Sequence, residues 1–194
     1  EKEAEERLIP FDLIPRILAA NEWRTLERGL TQRVAAINAF LLDIYNGQQI
    51  IKAGIIPADL IYKNKAFLPQ MCGFTPPGGV YTHVVGVDIV RTGPNDFFVL
   101  EDNARVPSGV SYMLENREIM MRMFPDLFLM NRVTPIDNYP TRLLQTLMSL
   151  APEKCENEEP VVVLFTPGPL NSAYYEHSFL SDQMGIEMVE STDL

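Results

Sequence analysis

Gly86-Val87-Asp88-Ile89-Val90-Arg91 and Phe97-Phe98-Val99-Leu100-Glu101-Asp102-Asn103-Ala104-Arg105-Val106-Pro107-Ser108-Gly109 read as two strands of one hairpin and its exit. Apolar and β-branched residues dominate both runs, and the Pro94-Asn95 pair between them has turn chemistry. Period-two alternation sends Glu101 and Asn103 to one face of the outgoing strand. With the turn centred near Pro94 and Asn95, antiparallel pairing sets Asp88 almost opposite Glu101, within the cross-strand distance that a shared ion requires. Hard oxygen donors on a rigid ribbon suit Mg²⁺, which keeps waters and takes its remaining ligands from substrate phosphates. The competing reading is a polar strand end that caps the next helix. Capping needs one short polar side chain and leaves an adjacent Glu with an opposed Asp unexplained.

The rest of the composition frames this site. With 194 residues and 46% apolar content the chain can bury a packed core, as one large domain or parts of two. A formal charge of -10 argues against nucleic-acid and anionic-membrane binding, which demand clustered Lys and Arg. A nucleotide therefore needs local help from a metal and a few arginines, for which Arg91, Arg105 and Arg117 are placed near the hairpin in sequence. Cys72 and Cys155 are too few and too far apart for a disulfide framework or a zinc site. No run reaches the roughly 18 apolar residues of a membrane span, and the charged opening Glu1–Arg7 lacks a signal peptide's apolar centre, so a cytoplasmic protein is expected. The chain begins in a charged stretch without an initiator Met and stops just after a strand, so a fragment is expected.

Upstream of the hairpin, Trp23, Leu26, Leu30, Val34, Ile37, Leu41 and Ile44 recur at three- and four-residue spacing, which predicts an amphipathic helix from Trp23 to Tyr45. Arg24, Arg28, Gln32 and Asp43 mark its polar face, and Asn46-Gly47 its stop. The prolines of Ile9–Arg16 predict an extended or one-turn approach, and Gly54 and Pro57 break the stretch 48–61 into short helical pieces. Arg16 and Arg33 could reach a phosphate, but isolated arginines are usually solvated, and that reading is favoured for both. Thr75–Gly79 is a turn without the Gly-Lys-Ser/Thr of a phosphate loop, and it leads into a strand-like run from Val80 to Val90 with His83 as a packing or hydrogen-bonded residue.

Downstream, Ser108–Ser111 can cap a helix that runs through Met113, Leu114, Met120, Met121 and Phe124 and ends at Pro125. Its free N–H groups could hold a phosphate or carboxylate, with Ser108, Ser111, Asn116 and Arg117 nearby, although capping alone would select the same serines. Another helix is expected from Tyr139 to Leu150, then an acidic linker from Pro152 to Pro160. Val161–Phe165 reads as a buried strand, Thr166–Ser172 as a loop, Ala173–Met184 as a helix and Ile186–Val189 as a second strand: a β-α-β unit of an open sheet. Ligands at such sheets meet the carboxyl ends of strands, so Asn171 and Ser172 are candidate cofactor contacts. Glu176-His177 behind the loop reads either as part of that edge or, more commonly for such a pair, as helix surface.

An aspartate, a short turn, an apolar strand ending Glu-x-Asn and then Pro-Ser-Gly resemble the metal-binding strand pair of ATP-grasp carboxylate–amine ligases. Pro10–Arg16, Gly29–Val34, Val99–Tyr112 and Thr166–Tyr174 together resemble the bacterial circularly permuted ATP-grasp family, a relative of the glutathionylspermidine synthases. The resemblance implies an α/β (α+β) fold: an ATP-grasp-like metal-binding antiparallel sheet with flanking helices in residues 1–151, then the start of a Rossmann-like unit in 160–194, in circularly permuted order. It carries Asp88, Glu101 and Asn103 over as Mg²⁺ ligands and Arg105 and Ser108 as phosphate or substrate contacts. Arg91, Ser111, Asn116, Arg117, Asn171 and Ser172 complete the candidate ATP contacts.

The family implies an ATP- and Mg²⁺-dependent ligase that joins a small-molecule or peptide carboxylate to an amine through an acyl phosphate. Positioning and charge neutralisation suffice for that chemistry, and the sequence presents no Ser-His-Asp or Cys-His arrangement for covalent catalysis. No segment supplies the lysines of a nucleotide lid, since Lys52, Lys63, Lys65 and Lys154 lack a persuasive context. Those parts are expected beyond Leu194, and the chain alone is expected to be inactive. The alternative is a non-catalytic nucleotide-binding or scaffold protein that keeps an ATP-grasp-like shell.

Overall fold

The computed structural model describes residues 11–152 and 160–193, so the charged opening, most of the expected acidic linker and Cys155 lie outside the described residues. The chain forms two compact units, Leu18–Pro107 and Ser108–Leu194 with the segment up to Ile17.

The first unit is organised by helix α1, Ala20–Tyr45. Its apolar row of Leu26, Leu30, Val34, Ile37 and Leu41 is half-buried and ends in buried Ile44 and Tyr45. Trp23, expected in that row, is 49% exposed. Glu22, one turn before Leu26, takes the inward place and is buried instead. Its carboxylate accepts the Ala19 N–H at 3.0 Å, the reverse half of a capping box whose other half alanine cannot supply.

After the stop at Asn46 come two short helices, α2 (Gln49–Lys52) and α3 (Ala58–Tyr62). Asp43, expected on the polar face, accepts the Gln49 and Ile50 N–H groups at 2.8 and 2.9 Å, which holds its carboxyl below the usual carboxylate range. The Tyr45 ring stacks on Phe67 and Tyr81, with centroids 5.2 and 5.7 Å apart.

Strands β1 (Gly86–Gly93) and β2 (Asp96–Asn103) form the expected hairpin, closed by Pro94-Asn95 with Asn95 at φ 63°. The extended run from Val80 contributes no strand before Gly86. Its backbone is diverted to α1: Asn38 Oδ1 accepts the Tyr81 and Thr82 N–H groups at 2.8 and 3.1 Å, and Asn38 Nδ2 donates to the Thr82 carbonyl at 3.2 Å. His83, expected inside the strand, is an exposed residue outside it.

Two ion pairs tie the hairpin to α1. Arg91 pairs with buried Glu22, and Arg33, expected to be solvated, forms a two-pronged pair with Asp102 at 2.7 and 2.6 Å. The Arg33 guanidinium holds the Asp102 carboxyl below the usual carboxylate range. Because the folded value is the depressed one, this pair's contribution is complete above the unfolded carboxylate pKa and is lost as pH falls through the folded one. A carbon-detected titration is expected to place the Asp102 midpoint below about 3.9, and Arg33→Ala to return it there. An unchanged midpoint in Arg33→Ala would contradict the pairing.

The second unit holds α4 (Val110–Met123), α5 (Pro125–Met130), α6 (Tyr139–Met148), β3 (Val163–Phe165), α7 (Tyr174–Met184) and β4 (Glu187–Val189). Pro125 does not merely end a helix: it occupies the first position of α5, where its missing N–H costs nothing. β3 and β4 pair in parallel, Val163 with Glu187 and Phe165 with Val189, across the α7 connection. The run expected to be a buried strand is shorter and more open, with Val161 79% and Phe165 54% exposed. These strands have no other sheet neighbour among the described residues. Leu114, Met120, Met184 and Val189 are buried in this unit. The helices α6 and α7, which flank the expected linker, belong to the same unit. No helix among the described residues is long and apolar enough to cross a membrane.

Candidate metal-binding face and a buried helix-terminus carboxylate

The hairpin's register places its oxygen donors. Pairing begins at Gly93 and Asp96, slips by one residue at Thr92 on β1, and slips back at Leu100 on β2. The two irregularities cancel, so Asp88 stands opposite Glu101, Val87 opposite Asp102 and Gly86 opposite Asn103. Leu100, left out of the pairing, is 72% exposed. Opposed residues share a face, so Asp88, Glu101 and Asn103 project to one side, while Asp102 and Arg91 project to the other, where α1 pairs with both.

Asp88, Glu101 and Asn103 are all exposed, and the Asn103 amide lies 3.4 Å from Glu101 Oε1. A side chain at position 86 would stand 3.0 Å from the Pro107 Cβ and 3.6 Å from the Asn103 Cβ, so Gly86 keeps this end of the face open. Thr82 secures the same end, its hydroxyl donating to the Ala104 carbonyl at 2.7 Å. Asn38 and Thr82 carry no local signal of this role, since both act on segments distant in sequence.

Two carboxylates and an amide oxygen on an open face fit a hard cation that retains waters or phosphate oxygens. No cluster of three or more His, Cys, Asp or Glu able to hold a metal occurs among the described residues, so any ion here would depend on the Asn103 amide and on external ligands. Arg105 is exposed on the same unit, without an ion pair among the described residues. Arg91 is committed to Glu22 and also lies 5.6 Å over the Phe97 ring.

In the second unit, α4 is not capped by Ser108 or Ser111. Its N-cap is Gly109, at φ 100°, and no side chain of the segment closes the cap. The anion comes from the first turn of α7. Glu176 accepts the Gly109 N–H at 2.9 and 2.7 Å, the Ser111 N–H at 3.2 Å and the Ser111 hydroxyl at 2.7 Å. Glu176, which could have been helix surface, is therefore buried, and Ser111 is fully so. One carboxylate serves the positive ends of two helices. The helix terminus that could have held a phosphate or carboxylate ligand already holds an anion of the chain itself. Burial and the Glu176 charge push the Tyr139 phenol above its ordinary range.

The other expected contacts are spread over the same unit. Ser108 is exposed; Asn116 and Arg117 border an open groove along α4. In the loop after β3, Asn171 Oδ1 accepts the Ala173 N–H at 2.9 Å and Ser172 is exposed. Buried Thr166 meets His177 Nδ1 at 3.0 Å and accepts the Gly168 N–H at 3.2 Å, so His177 secures the loop.

Known proteins bear on this arrangement. Residues 15–194 match a family model described as a circularly permuted ATPgrasp. An uncharacterized protein of Synechocystis sp. is 54% identical over 189 residues, which are 97% of this chain and 39% of that protein. An uncharacterized protein of Mycobacterium tuberculosis is 50% identical over 191 residues, 98% of this chain and 34% of its own length. A Frankia casuarinae protein named "Putative glutamate--cysteine ligase 2-2" is 39% identical over 188 residues, 97% of this chain and 22% of that protein. The chain thus spans less than half the length of these relatives. With the match extending over almost all of its residues, the chain belongs to the circularly permuted ATP-grasp family.

Proposed function

We propose that this chain is the metal-binding part of an ATP- and Mg²⁺-dependent ligase that joins a carboxylate to an amine through an acyl phosphate. The observation that carries the reading is the shared, open face of Asp88, Glu101 and Asn103. Family membership and the ligase name of the Frankia relative support it. In narrower form the proposal is a cytoplasmic enzyme of the glutathionylspermidine-synthase type, with a Rossmann-like unit beginning at the β3–α7–β4 segment.

When bound, Mg²⁺ would neutralise phosphate charge during transfer to the carboxylate. Asp88 and Glu101 would supply anionic oxygens to it and Asn103 a neutral one. Arg105 would add a cation for phosphate oxygens, and Ser108, Asn171 and Ser172 would offer hydrogen bonds to nucleotide or substrate. The β1–β2 ladder holds the strand pair in register, so the donors are positioned before any ligand arrives. The amine then displaces phosphate from the acyl phosphate, a step that needs orientation and no nucleophile from the protein.

The test is a calorimetric titration of the full-length protein with a non-hydrolysable ATP analogue, with and without Mg²⁺, followed by an assay of ADP release. Mg²⁺-dependent binding and ADP release that requires both a carboxylate and an amine are expected. No binding at millimolar analogue would sink the ligase reading and favour a scaffold.

A further inference from the structure

The groove along α4 has a volume of about 460 Å³ and is lined by Gly109 at the helix start, by Tyr112, Met113, Asn116, Arg117 and Met120 on the helix, and by Ile136. Residues four and eight apart on a helix share a face, so Tyr112, Asn116 and Met120 form one continuous strip beside Met113 and Arg117. The strip is apolar at both ends and polar in the middle.

Arg117 is the charged group of this groove, and its surroundings fix its position while leaving its charge unneutralised. Its Nη1 donates to the Thr134 carbonyl at 2.9 Å, and its guanidinium lies 5.9 Å over the Phe128 ring. The nearby acids of α4 are engaged elsewhere: Arg122 pairs with Glu118 at 3.2 Å and with Glu115 at 3.7 Å. Glu176 is spent on the amides that begin the helix. Arg117 thus has no ion pair among the described residues, in a chain of net charge -10.

A guanidinium offers a planar fork of donors that matches a carboxylate, and one already held by a carbonyl and a ring loses less freedom on binding. A phosphate chain would call for several cations or a nest of backbone N–H groups, and the helix start that could provide one is closed by Glu176. The thioether and isoleucine walls instead suit a short hydrocarbon stem. We propose that this groove binds a small carboxylate with an aliphatic stem, the carboxylate on Arg117, the Asn116 amide beside it and the stem along Met113 and Met120. This binding does not depend on the ligase reading.

The test uses full-length protein with ¹³C-methyl methionine, titrated with glutarate as probe. Saturable shifts of the Met113 and Met120 methyl signals are expected, and none with glutaramide, its neutral counterpart. Arg117→Met should weaken glutarate binding at least tenfold, and Arg117→Lys, which keeps a charge and guards against a folding artefact, should fall between. Silence of both methyl groups at millimolar glutarate, or equal shifts in Arg117→Met, would overturn the proposal. A response to AMP or inorganic phosphate in place of glutarate would overturn it in favour of a nucleotide contact. The Mg²⁺–ATP-analogue titration run on the same sample separates the two readings: if nucleotide binds and glutarate does not, this inference alone fails.

Discussion

Glu101→Gln in the full-length protein is expected to lower kcat/KM for ATP-dependent ADP release on the order of 10²- to 10³-fold, the range typical of losing one electrostatic stabiliser of the transition state, here through the Mg²⁺ that Glu101 would hold. The substitution keeps an oxygen donor and nearly the same shape but removes one of the two negative charges on the face shared with Asp88. Asp102→Asn is the informative partner. It lies one residue along the same strand, yet the pleat turns it to the opposite face, where it meets Arg33 at 2.6 Å. Asp102→Asn is expected to leave turnover within about threefold of the parent, because a partly solvated ion pair contributes little and is distant from the reacting groups. A kinetic assay of the two variants with Mg²⁺ varied checks the prediction. A raised Mg²⁺ requirement in Glu101→Gln alone supports the metal face; equal losses in both variants would mean that the face is not the site.

Glu176→Ala is expected to be among the most destabilising single changes in the second unit. The carboxylate is 6% exposed and satisfies the Gly109 and Ser111 N–H groups and the Ser111 hydroxyl. Removing it leaves these donors without an acceptor in a place where Ser111 is fully buried, at a cost of about 3 kcal/mol. Amide hydrogen exchange is the direct readout, with protection at Gly109 and Ser111 expected to fall about 10²-fold. Glu176→Gln retains one acceptor oxygen and loses the charge, for which about 1–2 kcal/mol is expected. Ser111→Ala removes one hydroxyl together with its contact and should cost about 1 kcal/mol. Unchanged protection in Glu176→Ala would show that water or another group serves the helix start equally well.

The parts of this protein that were legible in sequence are those with a strong local period or a strong local chemistry. The α1 row from Leu26 to Ile44 has the helical repeat, and the helix forms from Ala20 to Tyr45. The alternation of Glu101 and Asn103, with a turn at Pro94-Asn95, is enough to bring Asp88 opposite Glu101. That register held through two compensating irregularities, at Thr92 and Leu100, which no simple alternation reveals. Where local pattern misled, a distant partner was responsible. Val80–Val85 has strand composition, yet Asn38 of α1 takes the Tyr81 and Thr82 amides. Trp23 has the right spacing for the core, yet Glu22 takes the inward place beside Arg91.

By itself, then, the amino-acid sequence determined the secondary structure around the candidate metal face and the kind of ion that face suits, because pleat, turn and donor type are properties of neighbouring residues. Only the tertiary structure decided which charges are spent within the molecule and which stay open to a ligand. The Ser108–Ser111 segment looks the same whether it awaits a phosphate or is already served. The answer lies in Glu176, 65 residues from Ser111, whose buried carboxylate closes the helix start, while the pairing of Arg122 with Glu115 and Glu118 leaves Arg117 open. Such pairings depend on which helices pack together, and hydrophobic burial, which drives that packing, is blind to the order of residues along the chain.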